Sequence, residues 1–424
     1  MAICQLMVYA IITYMRYFFI LGNNPTLSFA EIVSVFKIKP EQVLALTEKT
    51  LIIELAQEID AQQIIRKLGG TIKIGVINFQ FSIPRTRDNF QTIFNDLMFK
   101  LINTNNVVGK FNFGISYYGA GKFKQEKNLA MEIKKALKEK GISSRWVTSR
   151  EKVLSSVVVE QNKLVSDRGV EVVIISDGTK CWIGKTLAVQ PFKELSARDY
   201  GRPGRDDYSG MLPPKLAQIL INLSGAEFGN VLLDPFCGSG TILTEAALMG
   251  FQNLIGCDIS EKAVEDSRQN FKFLMSNVKS MPNDIMLNIK LFVCDVKKLS
   301  RKIKPNFIEA IVTEPYLGPS RMERNEKNIR AVARQLEELY HQAIGEFAKV
   351  IKPGGRAVMV WPAFKLDKFA IFLDSSRILA NSSFKIINPL LGFNNKILRL
   401  TNRNTLIYRR EGQKIEREIV ILEK

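Results

Sequence analysis

The chain has 424 residues, 46% of them hydrophobic, which exceeds one ordinary core and excludes wholesale disorder. Lysine and arginine number 60 against 42 acidic residues, a formal net charge of +18, and an excess of that size points to a polyanionic partner, nucleic acid first. Five scattered cysteines without a C-x-x-C pair and a single histidine, His341, argue against a zinc site, a disulfide framework and most histidine-based nucleophilic chemistry. No metal is expected, and free cysteines suit a reducing cytoplasm.

Residues 1–14 are apolar but too short to span a bilayer, lack a basic start and run into Arg16. They read as an overrun ahead of a natural start at Met15, with a weak membrane-surface anchor as the alternative; N-terminal sequencing of the native protein separates the two. A strand, Tyr17 to Leu21, follows, then a turn at Gly22-Asn-Asn-Pro25. Ser28 and Glu31 have capping-box spacing and Leu27 with Ile32 forms a hydrophobic staple, so a helix starts there. Strands are expected at Val43 to Leu46, Leu51 to Leu55 and Thr71 to Phe79, with a helix over 60–68 closed by Gly69-Gly70. That order describes a ferredoxin-like domain over 15–82.

A second α/β unit spans 83–190. It holds a helix from Asn89 to Ile102, a strand from Phe111 to Tyr118 and a basic helix from Gln125 to Lys140. Leu129, Ile133 and Leu137 share one face of that helix, away from Lys127, Lys134, Lys135 and Lys138. Strands follow at Leu154 to Val159, Val170 to Ile175 and Cys181 to Val189. The basic run 121–152, with Phe123 and Trp146, reads as an RNA-facing surface; a solvated helix face is the plainer alternative. Residues 191–212, rich in Gly, Arg and Asp, read as a linker. Pro213 and Pro214 open a helix to Leu223, and over 213–424 short apolar strands alternate with helices, the pattern of a doubly wound parallel sheet.

The richest segment is Asn230-Val-Leu-Leu-Asp-Pro-Phe-Cys-Gly-Ser-Gly-Thr241. An apolar strand ends at Asp234, Gly238 and Gly240 make a tight turn, and a helix begins at once, which brings backbone close to a ligand at the carboxyl edge of a sheet. It is neither a Walker loop nor G-x-G-x-x-G, so a triphosphate or a dinucleotide is disfavoured. Asp234 suits a cationic ligand without phosphates, and S-adenosylmethionine, with its sulfonium and ammonium groups, is one. The next strands end in Asp258, placed for ribose hydroxyls, and Asp295, placed for an adenine amino group. Three strand-end acids beside a glycine turn favour a cofactor site over three helix caps. The candidate cofactor set is therefore Asp234, Phe236, Gly238, Gly240 and Thr241, with Asp258 and Ile259, and Asp295 and Val296.

The fourth strand delivers Thr313-Glu-Pro-Tyr316, similar to the Asp/Asn-Pro-Pro-Tyr turn of methyltransferases acting on exocyclic base amines. Such an amine is a poor nucleophile, because its lone pair is delocalised into the ring. Oxygen acceptors on its N–H groups and an aromatic under the base aim that lone pair. Tyr316 offers the ring and the Glu314 carbonyl one acceptor; with Thr313 in the first place, the Glu314 carboxylate is the expected second acceptor. A decayed motif that binds cofactor without turnover is the alternative. Pro315 completes the candidate catalytic set. Leu406 to Arg410 and Glu418 to Leu422 read as a closing antiparallel hairpin.

With Tyr17-Phe-Phe-Ile-Leu-Gly-Asn-Asn-Pro25, Arg198-Asp-Tyr-Gly-Arg-Pro203, Leu212-Pro-Pro-Lys-Leu-Ala217 and Asp234-Pro-Phe-Cys-Gly-Ser-Gly-Thr241, the chain resembles the THUMP-containing tRNA guanosine-N2 methyltransferases. That archaeal and eukaryotic group modifies the guanosine at position ten of tRNA. The resemblance implies an α/β chain with a class I, Rossmann-like methyltransferase sheet over 213–424, behind a ferredoxin-like plus THUMP RNA-binding half. It implies S-adenosyl-L-methionine as cofactor, tRNA as partner and a cytoplasmic location away from membrane, and leaves an accessory subunit open. Lys122, Lys124, Lys134, Lys138, Arg145 and Arg150 become candidate RNA contacts, with Arg202 and Arg205 ordering near the active site when RNA binds. Methylation of guanine or another base amine in ribosomal RNA, and a non-catalytic RNA-binding protein, stand as alternatives. Thr313-Glu-Pro-Tyr316 departs from the family's Asp-Pro-Pro-Tyr.

Overall fold

A computed structural model describes residues 14–82, 109–120, 125–204, 211–277, 287–319, 325–366 and 369–424. They fall into two compact units. The first takes the chain up to Leu21, Lys39–Ile65 and Thr71–Gln190; the second takes Gly22–Ile38, Arg66–Gly70 and Pro191–Lys424.

In the first unit, strands β1 (Met15–Leu21), β2 (Val43–Leu46), β3 (Thr50–Leu55), β4 (Thr71–Ser82), β5 (Phe111–Tyr118), β6 (Ser144–Val147), β8 (Gly169–Ser176) and β9 (Lys180–Val189) form one sheet. Its order is β2-β3-β1-β4-β9-β8-β5-β6, with β7 (Val165–Ser166) on β8. Helices α2 (Ala61–Ile65), α3 (Glu126–Glu139) and α4 (Ser156–Gln161) belong to this unit, while α1 (Pro25–Phe36) belongs to the second. Among the described residues, strands from both 15–82 and 83–190 join this one sheet. β4 pairs antiparallel with β9 from Lys73↔Val189 to Ser82↔Lys180. One apolar cluster holds Phe18 and Ile52 together with Val173 and Trp182, so the two stretches share a core.

A buried charge crosses the same seam. Lys73, 1% exposed, donates to Glu171 at 2.5 Å and to the Leu154 carbonyl at 2.6 Å. The Glu171 carboxylate also accepts from Ser116 and Thr186, each at 2.6 Å, so the burial of both charges is compensated.

The expected strand Leu154 to Val159 is instead the helix α4. Its β-branched run favours a strand, but Ser155 caps the first turn by accepting from Val158 N at 3.3 Å. Val159 is thereby buried with Val147, Leu154 and Leu164. The helix expected from Asn89 to Ile102 lies outside the described residues.

The second unit is built on parallel strands β10 (Val231–Asp234), β11 (Asn253–Asp258), β12 (Asn288–Val293), β13 (Ile308–Thr313) and β14 (Ile351–Lys365). β15 (Ala370–Phe372), β16 (Lys385–Ile386), β17 (Leu406–Tyr408) and β18 (Ile415–Glu423) complete it. The order is β12-β11-β10-β13-β14-β18-β16, with β15 on β14 and β17 antiparallel to β18, as the hairpin reading required. Its helices are α1, α5 (Phe192–Tyr200), α6 (Pro214–Leu223), α7 (Thr241–Met249), α8 (Glu261–Asn277), α9 (Glu326–Val350) and α10 (Ser375–Ile378). The first half of the expected linker is thus helical.

The start of α1 also differs from the sequence reading. Pro25 occupies the first turn and Ser28 lies inside the helix, its hydroxyl donating to the Asn24 carbonyl at 3.1 Å. Glu31 does not complete a capping box. Its buried carboxylate accepts from Gly69 N, Gly70 N and the Asn222 amide, each at 2.8 Å, tying three distant segments together. Helix α2 ends at Ile65, before that glycine pair, which serves Glu31 instead of closing the helix.

Candidate active site

The carboxyl edge of the second sheet gathers the residues singled out from sequence. β10 delivers Asp234, 1% exposed, into a turn where Gly238 has φ +50° and Gly240 φ +82°. A side chain at Gly240 would also place its Cβ 2.3 Å from Ser267 Oγ on α8, so this position admits glycine alone. Gly238 N donates to Asp258 at 3.0 Å, joining the ends of β10 and β11. Asp258 also accepts from Ser260 N at 2.9 Å, and Asp295 caps the turn after β12 by accepting from Lys297 N at 3.0 Å. Beside these acids Ile259 is 71% exposed and Val293 45% exposed. Apolar side chains standing in water next to carboxylates offer a face to a planar ring. Phe236 is half-buried, and Val296 packs in the core beneath.

Burial pushes the Asp234 carboxyl up to about 7; hydrogen bonds from Thr313 and Phe236 N oppose that, and the Asp258 and Glu314 charges add to it. A buried acid carrying no cation among the described residues suits a cationic ligand. Acids, apolar ring face and glycine turn together fit the ammonium, ribose and adenine of S-adenosylmethionine.

β13 lies beside β10 and brings in Thr313-Glu-Pro-Tyr316. Thr313 is fully buried and its hydroxyl donates to Asp234 Oδ1 at 2.7 Å. The Glu314 carboxylate takes a fork from Arg417 on β18, Nε at 2.5 Å and Nη2 at 3.2 Å. Burial alone would lower the Arg417 pKa, but Glu314 beside it holds it above its ordinary value. Pro315 is buried, while Tyr316 stands 56% exposed. Behind the turn, the buried Tyr340 hydroxyl donates to the Tyr316 carbonyl at 2.8 Å.

Arg417 and Tyr340 escaped the sequence reading. For Arg417 a signal existed: Glu416-Arg417-Glu418 puts three consecutive charges directly ahead of the apolar run Ile419 to Leu422, and Glu418 is itself fully buried and paired with Arg403. For Tyr340 there was none, because a tyrosine on an amphipathic helix is ordinary core.

Among the candidate RNA contacts, Lys134, Lys138, Arg145 and Arg150 are exposed on the first unit. Lys122, Lys124 and Arg205 lie outside the described residues. Arg202 is half-buried and its guanidinium donates to the Thr241 hydroxyl at the start of α7. Nearby, Arg198 forks onto the buried Glu245 at 2.7 and 3.2 Å, so the helical part of the expected linker is fastened to helix α7 of the second unit. No helix among the described residues is long and apolar enough to cross a membrane.

Comparison with known proteins gives the class. A family model described as an RMKL-like methyltransferase domain matches residues 202–380, and one described as a DNA methylase matches 72–269. TrmN from Thermus thermophilus superposes with a TM-score of 0.53 at 17% identity, over 97% of this chain and 99% of that one, which shows the fold. The second unit is thus similar to a methyltransferase domain, and the chain has the α/β fold of that structure.

Among curated proteins, the chain resembles tRNA (guanine(10)-N2)-dimethyltransferases. It is 33% identical to that of Methanothermobacter thermautotrophicus over 172 residues, 40% of this chain and 43% of the relative. It is 25% identical to that of Methanocaldococcus jannaschii over 277 residues, 63% and 71%, and 31% identical to that of Pyrococcus abyssi over 220 residues, 51% and 59%. The first of these matches thus spans under half of the relative's length.

Proposed function

We propose that the chain transfers a methyl group from S-adenosyl-L-methionine to the exocyclic N2 of guanine in tRNA. The observation that carries this reading is the adjacency of β10 and β13. It sets a receptor for a cationic, adenosine-bearing cofactor directly beside an exposed tyrosine on a turn of the base-amine type. The names of the curated relatives support guanine N2 and tRNA.

S-adenosylmethionine, when bound, supplies a methyl group activated on sulfur. The chain's own residues do the rest. Asp234 and Asp258 orient the cofactor's ammonium and ribose. Tyr316 gives its ring face to a base taken out of its helix, and Tyr340 keeps that turn in place through the Tyr316 carbonyl. The Glu314 carbonyl accepts one N–H of the amine. A carboxylate forked by arginine keeps one outer lone pair on each oxygen, so the Glu314 side chain accepts the other. The first unit binds the RNA: its opening strands, in the order β4-β1-β3-β2, support the ferredoxin-like reading of 15–82, and the α/β order after Phe111 supports a THUMP-like 83–190. On this reading the protein works in the cytoplasm.

A second reading has one observation behind it. Thr313 and Glu314 both already have partners, as a site retained for binding without turnover would show. Incubating the chain with labelled S-adenosylmethionine and bulk unmodified tRNA and rRNA, followed by nucleoside analysis, separates the readings. N2-methylguanosine in tRNA is the expected product, and Glu314→Gln is expected to cut turnover about a hundredfold with cofactor binding intact. Cofactor and RNA binding without transfer selects the second reading.

A further inference from the structure

The first unit contains a cavity of about 500 Å³ that the methyl-transfer site does not use. Four separate segments contribute cations to its rim: Lys110 ahead of β5, Arg145 on β6, Lys163 after α4 and Arg168 between β7 and β8. These segments are stapled to one another. Asn112 N donates to the Arg168 carbonyl at 2.9 Å, and the Asn112 side-chain amide donates to the Asn162 carbonyl at 3.0 Å. Asn162 in turn donates to the Val158 carbonyl at 2.9 Å, and Lys163 is held at φ +56°, a region that lysine seldom occupies.

The electrostatics of this rim are one-sided. All four cations are exposed, and among the described residues no acidic one lines the cavity. Among the described residues none of the four has an ion-pair partner, whereas Arg16, Arg66 and Arg356 on other surfaces each hold a glutamate. Like charges gathered around one concavity repel, and an anion seated among them removes the repulsion.

We propose that this cavity binds the 5′-terminal phosphate of an RNA strand. A surface that tracks a phosphodiester backbone spreads its cations along a stripe, one per singly charged phosphate. Here cations from four separate segments line one hollow, which matches a compact phosphomonoester with about two charges and three free oxygens. Arg145 and Arg168 supply planar forks for those oxygens, and the lysines supply point charges. The inference rests on the RNA substrate proposed above for the identity of the strand; the anion site itself does not depend on methyl transfer.

The test compares binding of the full chain to one short RNA hairpin carrying a 5′-phosphate, a 5′-hydroxyl or a 3′-phosphate, at fixed salt. The 5′-phosphate form is expected to bind about tenfold tighter than either of the others. The double variant R145Q/R168Q, at two exposed positions, is expected to erase that preference, with its circular dichroism unchanged. Inorganic phosphate and a nucleoside monophosphate are titrated as competitors to separate a free ligand from an RNA end. Equal affinity for the three RNAs, or a preference that survives in the double variant, overturns the proposal. Inorganic phosphate binding as tightly as the RNA end also overturns it. Labelled methyl transfer to the same hairpins is read in parallel, so a chain that discriminates RNA ends yet transfers no methyl group sinks the proposed function alone.

Discussion

Arg417 and Glu314 are nearly sealed from water, and each neutralises the other beside the Thr313-Glu-Pro-Tyr316 turn. Removing one partner from such a pair leaves a buried charge uncompensated, which costs about 3–5 kcal/mol, whereas replacing both with apolar residues of similar volume is close to neutral. Arg417→Met is therefore expected to lower the denaturation midpoint sharply, and the double variant Arg417→Met/Glu314→Met to recover most of the loss. Turnover separates fold from chemistry: the double variant regains stability but stays inactive if Glu314 accepts a proton of the amine. Full activity in it would reduce the pair to scaffolding. Asp234 makes a pH prediction. Its carboxyl, pushed up to about 7, holds a proton more tightly folded than unfolded, so its contribution to stability is present at low pH and fades as pH rises from 3.8 towards about 7. Cofactor binding runs the other way, because a cationic ligand wants the ionised form. Calorimetric affinity for S-adenosylhomocysteine should increase as pH climbs through about 7 in the wild type and stay flat in Asp234→Asn. An affinity that falls over the same window would place the ammonium elsewhere.

At the scale of elements, the turn from β10 into α7 is the part most legible in sequence. Gly240 must take φ +82° and must leave room for Ser267, two demands that only glycine meets together. Gly240→Ala is expected to destabilise the second unit by about 1–3 kcal/mol and to weaken S-adenosylhomocysteine binding. A variant with wild-type melting and wild-type affinity would show that the turn tolerates a side chain. Elements whose local and tertiary preferences agree, such as β8 and α3, followed their hydrophobic periods. Those that misled had conflicting signals. The β-branched run Val157-Val158-Val159 has the composition of a strand, but Ser155 stands at a capping position ahead of it, and the cap outweighed the run. Ser28 and Glu31 had the spacing of a cap, but Pro25 had already started the helix and the buried glycine turn claimed the carboxylate.

For the molecule as a whole, the second unit is not contiguous in sequence. Helix α1 and residues Arg66–Gly70 belong to it, although both precede most of the first unit. α1 packs on α6, Phe29 sits edge-on to Phe393 at 5.2 Å, and Asn222 and the Gly69-Gly70 turn meet on Glu31. A fragment starting at Pro191 would lose all of these and expose the apolar side of α6. We expect that fragment to bind the dye 8-anilinonaphthalene-1-sulfonate and to lack near-ultraviolet dichroism, as a loosely packed state does. A sharp cooperative melt without α1 would show that the second sheet needs no help from the N-terminal segment.

The sequence by itself determined what depends on local chemistry. Acids at the ends of three successive apolar strands, a glycine turn before a helix and a polar–Pro–aromatic turn on the fourth strand all lie within short stretches of chain. Alternation of short strands and helices likewise marked the parallel sheet. Tertiary structure alone decided what depends on contacts between distant segments. It joined β4 to β9 in a single sheet, carried α1 into the second unit and set Arg417 against Glu314, more than a hundred residues apart in the chain. The reason is physical. Pairing of sheet edges and compensation of buried charge are settled by which groups arrive together when the core closes, and no local propensity carries that information.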